Sequence, residues 1–205
     1  IMLEEIEKAL NQLKAGEKRN FVQTVDLVVS LKGIDLKKTE SKFSEDLVLP
    51  HGKGKDAEVV VFSDNLSNLG CGILTTADIQ RIASNKREAK ELAKDTDFFL
   101  SEPPLMPLIG KSLGQILAPR GKMPKLISGD VKNLVGNYKR SVKVAVKNSP
   151  VIQCFVGNED MDNIKVAENV ETILKFLETK LPRGRQNIGK VLLKLTMSKP
   201  VKVEM

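Results

Sequence analysis

Few residues in this chain are equipped for covalent chemistry. The only histidine, His51, stands in "LPHGKGKD" among turn-forming residues. A catalytic histidine needs a nucleophile in reach and a third group to orient it. No serine or cysteine motif accompanies His51, so it reads as a turn histidine that positions a loop. Cys71 and Cys154 form no Cys-x-x-Cys pair. That speaks against a disulfide framework and a structural zinc site, and it fits a reducing cytosol. "GKS" at 110–112 has the residues that end a phosphate-binding loop. Such a loop needs a glycine five places before its second glycine, where Leu105 stands, and no G-x-G-x-x-G opens a helix elsewhere. The carboxylates form no pair distinct from ordinary solvated helix faces. No catalytic residue, cofactor or metal is expected.

The cations carry the remaining chemistry. The chain has 33 Lys+Arg against 26 Asp+Glu, a net charge of +7 and a pI near 9.3. That balance favours a polyanionic partner. There is no Trp, one Tyr and seven Phe, too few for an aromatic base-stacking platform. "ILAPRGKMPK" at 116–125 sets Arg120, Lys122 and Lys125 on a loop stiffened by two prolines and bent at a glycine. These cations can reach phosphates, and an exposed connection with ordinary cations is the plainer reading of the same loop. "FFLSEPPLMPLIG" is too short and too broken by proline to span a bilayer, so no membrane partner is expected. "IMLEEIEKAL" is acidic and helical in pattern, unlike a signal peptide.

The elements that position these residues follow from periodicity. Leu3, Ile6, Leu10 and Leu13 recur at helical steps, predicting a helix over 3–14. In "FVQTVDLVVSL", Phe21, Val25, Leu27, Val29 and Leu31 share one face of a strand, and Gln23 alone breaks the alternation. "EDLVLP" and "AEVVVFS" read as further strands, with "KGIDLKKTESKFS" a polar connection. "TADIQRIASNKREAKELAKDTDFFLS" reads as two helical pieces and a strand. "PLIGKSLGQIL" and "VKNLVGNY" suggest more helices, and "SVKVAVKN" and "VIQCFVG" alternate as strands. Residues 164–181 carry a helical stripe of Ala167, Val170, Leu174, Leu177 and Leu181. "KVLLKLTM" and "VKVEM" close the chain as strands.

Short strands between helical patterns imply a parallel α/β layer in the middle of the chain. Neither outer segment alone buries much core. The expected organisation is therefore one α+β domain built from residues 1–63 and 155–205, with an α/β domain of residues 64–154 inserted. Residues 64–154 hold 14 Lys+Arg against 8 Asp+Glu, a net of +6. By charge alone the nucleic-acid footprint falls on that insert.

Several stretches resemble, in the right order, one family of large-subunit ribosomal proteins. This is the family that forms the mobile stalk near the tRNA exit site (the L-one family). "LAPRGKMPK" resembles its signature loop, and the "RGKMPK" form is similar to the archaeal and eukaryotic branch. "RNFVQTVDLVVSLKGIDLK" resembles its first strand, "LPHGKGK" its Pro-His-Gly turn, "KREAKELA…DFF" with "PLMPLIGKSLG" its middle domain, and "LTMSKPVKV" its closing Thr-Met segment. The resemblance implies an RRM-like α+β domain made from both termini and a Rossmann-like, three-layer α/β domain inserted into it. It implies a non-enzymatic protein of the cytoplasmic ribosome, monomeric off it, that binds large-subunit rRNA. It also implies a repressor that binds its own mRNA, and contact with tRNA at the exit site.

The resemblance places the RNA-binding residues on the two-ended domain. They are Arg19, Phe21, Thr24, Lys190, Lys194, Thr196, Met197, Ser198 and Lys199, with Arg120, Lys122 and Lys125 as an auxiliary basic loop. A threonine hydroxyl can bond a 2′-hydroxyl, while Met and Phe can pack on sugar and base faces. The family follows Thr-Met with Gly-Pro, whereas this chain has Ser198-Lys199 and Pro200 one place later. Two competing readings are a nucleotide-dependent α/β enzyme, which the missing phosphate loops oppose, and a nonspecific polyanion binder. A general protein–protein adaptor, insensitive to RNA and salt, is a third.

Overall fold

A computed structural model describes residues 2–16, 19–35, 42–66 and 70–203. Part of the polar connection after the first strand, and part of the stretch at 64–75, lie outside the described residues. The chain divides into two units, one formed by residues 1–56 and 140–205, the other by residues 57–139.

The two-ended unit begins with α1 (Met2–Lys14), which buries Ile6, Ala9, Leu10 and Leu13. Strand β1 (Thr24–Leu31) alternates strictly, with Val25, Leu27, Val29 and Leu31 inward. Its neighbours are β8 (Val151–Asn158) on one side and β9 (Ile188–Leu195) on the other, and β9 carries β10 (Val201–Val203) at its far edge. All three pairings are antiparallel. Helix α7 (Asn163–Lys180) sets Val166, Val170, Ile173, Leu174 and Leu177 into the same core as α1 and the inward face of β1. A separate antiparallel ribbon, β2 (Phe43–Val48) with β7 (Ser141–Val146), adds Val142, Val144 and Val146 to that core.

The inserted unit holds β3 (Val59–Phe62), β4 (Gly72–Leu74), β5 (Phe98–Ser101) and β6 (Lys125–Leu126), parallel and ordered β4-β3-β5-β6. Helices α2 (Thr76–Ser84), α3 (Lys86–Asp95), α4 (Met106–Ser112) and α5 (Gly114–Leu117) share a core with Phe62 and Phe99, whose rings stack at 5.6 Å. Val59, Val61 and Leu100 enter a second core with Val135 of α6 (Val131–Lys139). Adjacent residues of β3 thus feed opposite cores, as a strand buried on both faces requires.

The division falls at 56/57 and 139/140, against the 63/64 and 154/155 expected from sequence. Strand β3 pairs only with parallel neighbours, so it belongs to the insert. Strands β7 and β8 pair antiparallel with β2 and β1, so they belong to the two-ended unit. The charge account changes with the boundary. Residues 57–139 carry 11 Lys+Arg against 9 Asp+Glu, a net of +2, and the remainder carries 22 against 17, a net of +5. The basic excess lies mostly on the two-ended unit, where the sequence motifs already pointed.

The turn "LPHGKGKD" is fixed from beneath. Asn169 of α7, fully buried, donates to the carbonyls of Gly52 (2.7 Å) and Val156 (2.9 Å) and accepts from His51 N–H (3.2 Å). His51 Nε2 meets the Glu168 carboxylate in a half-exposed pair. Gly54 has φ +82°, and a Cβ there would lie 2.7 Å from the Asn158 amide, so both backbone and space require glycine. The turn is thus held by Asn169, and the His51 side chain adds only its pair with Glu168.

Candidate nucleic-acid interface

Of the expected site residues on the two-ended unit, all but Lys190 lie toward one end of the four-stranded sheet. Strand β1 starts at Thr24, and β9 ends at Leu195 in a turn through Thr196 and Met197. The two threonines meet there: Thr24 N–H donates to Thr196 Oγ1 at 3.0 Å, and the two hydroxyls bond at 2.9 Å. A hydroxyl has one proton and two lone pairs, so the pair keeps bonding capacity for a ligand.

The turn itself is closed by Ser198. Its N–H donates to Leu195 C=O at 3.1 Å, and its Oγ accepts from Leu195 N–H at 2.8 Å. Ser198 thus supplies a side-chain bond that holds the turn. Gln23, the polar break in the β1 pattern, is 2% exposed and accepts from Met197 N–H at 3.2 Å through Oε1. Its carbonyl accepts from Glu159 N–H at 2.8 Å. Gln23 and Glu159 were not among the expected site residues. A polar side chain on an otherwise apolar strand face was the available signal for Gln23; nothing in the sequence marked Glu159.

Around this rigid edge the apolar groups point outward. Phe21 is 51% exposed, Val22 53% and Met197 63%. Phe21 precedes the strand and does not share its buried face, contrary to the periodicity. Gln23 takes the inward position, the strand begins only at Thr24, and the alternation does not extend back to Phe21. Arg19, Gln23, Met197, Ser198 and Lys199, with Leu13, Gly16 and Leu195, line a cleft of roughly 310 Å³.

Lys194 lies beside Asp26 of β1, its register partner, on the face of the sheet away from α1 and α7. Burial raises the Asp26 carboxyl above the usual carboxylate range, against the opposing pull of Lys194 and the Thr24 hydroxyl. A raised carboxyl favours the folded state below its ordinary range and loses that advantage as pH climbs through the raised value. Asp26→Asn is expected to flatten the pH dependence of thermal unfolding in that window. By leaving Lys194 unopposed it is also expected to tighten RNA binding a few-fold, measured by titration at neutral pH. Lys190 is exposed near the other end of β9, so it does not join the cluster. Burial, with Asp26 adding to it, pushes the thiol of nearby Cys154 up to about 12, so that cysteine stays protonated.

The auxiliary loop has partners of its own. Arg120 donates to Lys90 C=O at 3.1 Å, and Lys122 Nζ donates to Thr96 C=O at 2.6 Å. Lys125 stands 5.8 Å from the Tyr138 ring centre. Among the described residues no cluster of three His, Cys, Asp or Glu could hold a metal ion, and no helix is long and apolar enough to cross a membrane.

One edge of the sheet thus sets hydroxyls beside exposed apolar side chains and cations. Comparison with known proteins gives the chain its family. Residues 13–199 match the model of the ribosomal protein L1p/L10e family. A protein of Pyrococcus abyssi named large ribosomal subunit protein uL1 is 42% identical over 98% of this chain and 96% of its own. Its namesakes from Thermococcus kodakarensis and Methanothermobacter thermautotrophicus are 41% and 36% identical, over 96% and 98% of this chain and 95% and 100% of theirs. The chain belongs to the ribosomal protein L1p/L10e family, in its archaeal form, and that family is not one of enzymes.

Proposed function

We propose that this protein is an RNA-binding component of the large ribosomal subunit, in the cytoplasm, and that it recognises folded rRNA at the sheet end carrying Thr24, Thr196 and Met197. One observation carries the reading. A hydroxyl pair sits at a turn whose backbone is bonded by Gln23 and Ser198, while Phe21, Val22 and Met197 stand exposed beside it. The free lone pairs of the hydroxyls suit the 2′-hydroxyl donors of a shallow RNA groove, and the apolar side chains suit sugars and splayed bases. The names of the relatives support the same assignment.

Within this reading the two-ended unit acts as an RRM-like module, and the inserted unit is Rossmann-like with three layers. The rRNA element is the mobile stalk beside the tRNA exit site, where tRNA becomes a passing contact. An mRNA segment folded like that element would meet the same residues, which makes the protein a repressor of its own translation. Off the ribosome it is a monomer.

The test is a salt titration that compares the stalk fragment of large-subunit rRNA with a plain RNA duplex. Binding to the fragment is expected to be tighter than to the duplex at every salt concentration, because contacts to phosphate set the salt slope and the other contacts set the preference. Equal and steeply salt-dependent binding to both RNAs would leave only a nonspecific polyanion binder.

A further inference from the structure

We infer that the inserted unit carries a second RNA contact, a lysine ridge on α3 that takes the phosphate backbone of double-helical RNA. The inference rests on the reading of this protein as an RNA binder and adds a surface to it. Lys86, Lys90 and Lys94 stand at i, i+4 and i+8 of α3, and all three are exposed. At 1.5 Å rise per residue they form a row about 12 Å long, and at 3.6 residues per turn they occupy an arc of about 80°. Glu88, Glu91 and Asp95 of the same helix lie outside that arc. Glu88 is held by Arg81 at 3.3 Å and Glu91 by Arg87 at 3.3 Å. None of the three lysines pairs with a carboxylate among the described residues. The small net charge of this unit is therefore segregated, with one helix face left wholly basic.

The loop 118–124 completes the ridge. The last carbonyls of a helix carry partial negative charge, which would repel a phosphate from that end. Here Arg120 donates to Lys90 C=O, and Lys122 donates to Thr96 C=O at 2.6 Å and Lys94 C=O at 3.5 Å. Lys122 thus bonds the terminal carbonyls and sets a positive charge at that end, while Arg120 adds another beside Lys90 in the middle of the helix. Single point charges about 6 Å apart suit consecutive phosphates along one strand. They carry no base-reading geometry, because a lysine on phosphate positions without specifying. A regular A-form helix, recognised through its backbone, is the matching partner.

The test replaces Lys86, Lys90 and Lys94 together by glutamine in the full chain. Glutamine keeps helix propensity, and thermal unfolding checks that the fold is retained. Binding to a plain RNA duplex and to the stalk rRNA fragment is measured over roughly 50–200 mM salt. The log–log salt slope is expected to fall by about one per lysine, about three in all, for both RNAs. The variant's preference for the fragment over the duplex stays at the wild-type value. A triple replacement by arginine is expected to keep the wild-type slope. An unchanged slope in the glutamine variant overturns the inference, and so does a loss confined to the fragment. A wild-type protein that shows no preference for the fragment, but whose slope falls in the variant, sinks the rRNA-specific reading and leaves the ridge standing.

Discussion

Phe21→Ala and Met197→Ala will each weaken binding to the stalk rRNA fragment by roughly ten- to a hundredfold, while leaving the melting temperature where it was. Both parts follow from exposure. Phe21 and Met197 are 51% and 63% exposed, so neither side chain contributes much to the core, and surface changes of that kind stay within about 0.5 kcal/mol. A side chain on which a base packs is worth about 1–3 kcal/mol by alanine substitution, and that is the source of the expected loss. Large apolar side chains at the centre of an interface are where binding energy concentrates. The backbone on either side is already fixed by Gln23 and Ser198, so no ordering cost has to be met on binding. Arg120→Ala will cost less, because Arg120 is bonded to a helix carbonyl and touches phosphates at most as one charge among five. Filter binding on the three variants beside thermal unfolding decides the matter. A larger loss for Arg120→Ala than for the other two would move the primary site to the inserted unit.

The second large effect is on stability. Asn169→Leu will lower the stability of the two-ended unit by about 3 kcal/mol, or roughly 6–12 °C in melting temperature for a chain of this size. Asn169 is fully buried and serves three backbone groups at once: Gly52 C=O, Val156 C=O and His51 N–H. Leucine has similar bulk but satisfies none of them, and a buried polar group left unpaired is what makes such changes costly. His51→Ala is the control. It removes only the half-exposed pair with Glu168, and exposed pairs are worth about 1 kcal/mol or less. If the two substitutions cost the same in calorimetry, the turn is held by the histidine side chain and not by the asparagine beneath it.

Much of this architecture was legible in the sequence, and the misplacements have physical causes. Helices α1 and α7 and strands β1 and β9 follow from periodicity, because each buries one face and leaves the other to solvent. The domain boundary was misplaced because β7 and β8 lie in sequence beside the parallel strands they do not join. The discriminating signal was present. "VVVF" and "FFLS" run apolar without interruption, as strands covered on both faces do, whereas "SVKVAV" alternates, as a strand covered on one face does. The motif residues came together at one sheet end except Lys190, which shares a strand with Lys194 and Thr196 but stands near its other end. Phe21 was misread by extending an alternating pattern through the residue that ended it. The inward-pointing bonds of Arg120 and Lys122 had no sequence signal, since a helix carbonyl as partner is fixed only when loop and helix pack together.

The placement of β1 also sets an order of events during synthesis. Both of its sheet neighbours, β8 and β9, are made more than a hundred residues later. The inserted unit is contiguous, and its first and last residues are joined by a bond from Ala57 N–H to Lys139 C=O at 2.9 Å. It can close while the first strand still waits for partners, since pairings distant in sequence form late. The proposed RNA edge joins Gln23 and Thr24 to Thr196, Met197 and Ser198, which lie more than 170 positions further along the chain. A nascent chain arrested in between therefore carries a folded insert, while β1 still lacks β8 and β9 and the contact of Thr24 with Thr196 has not formed.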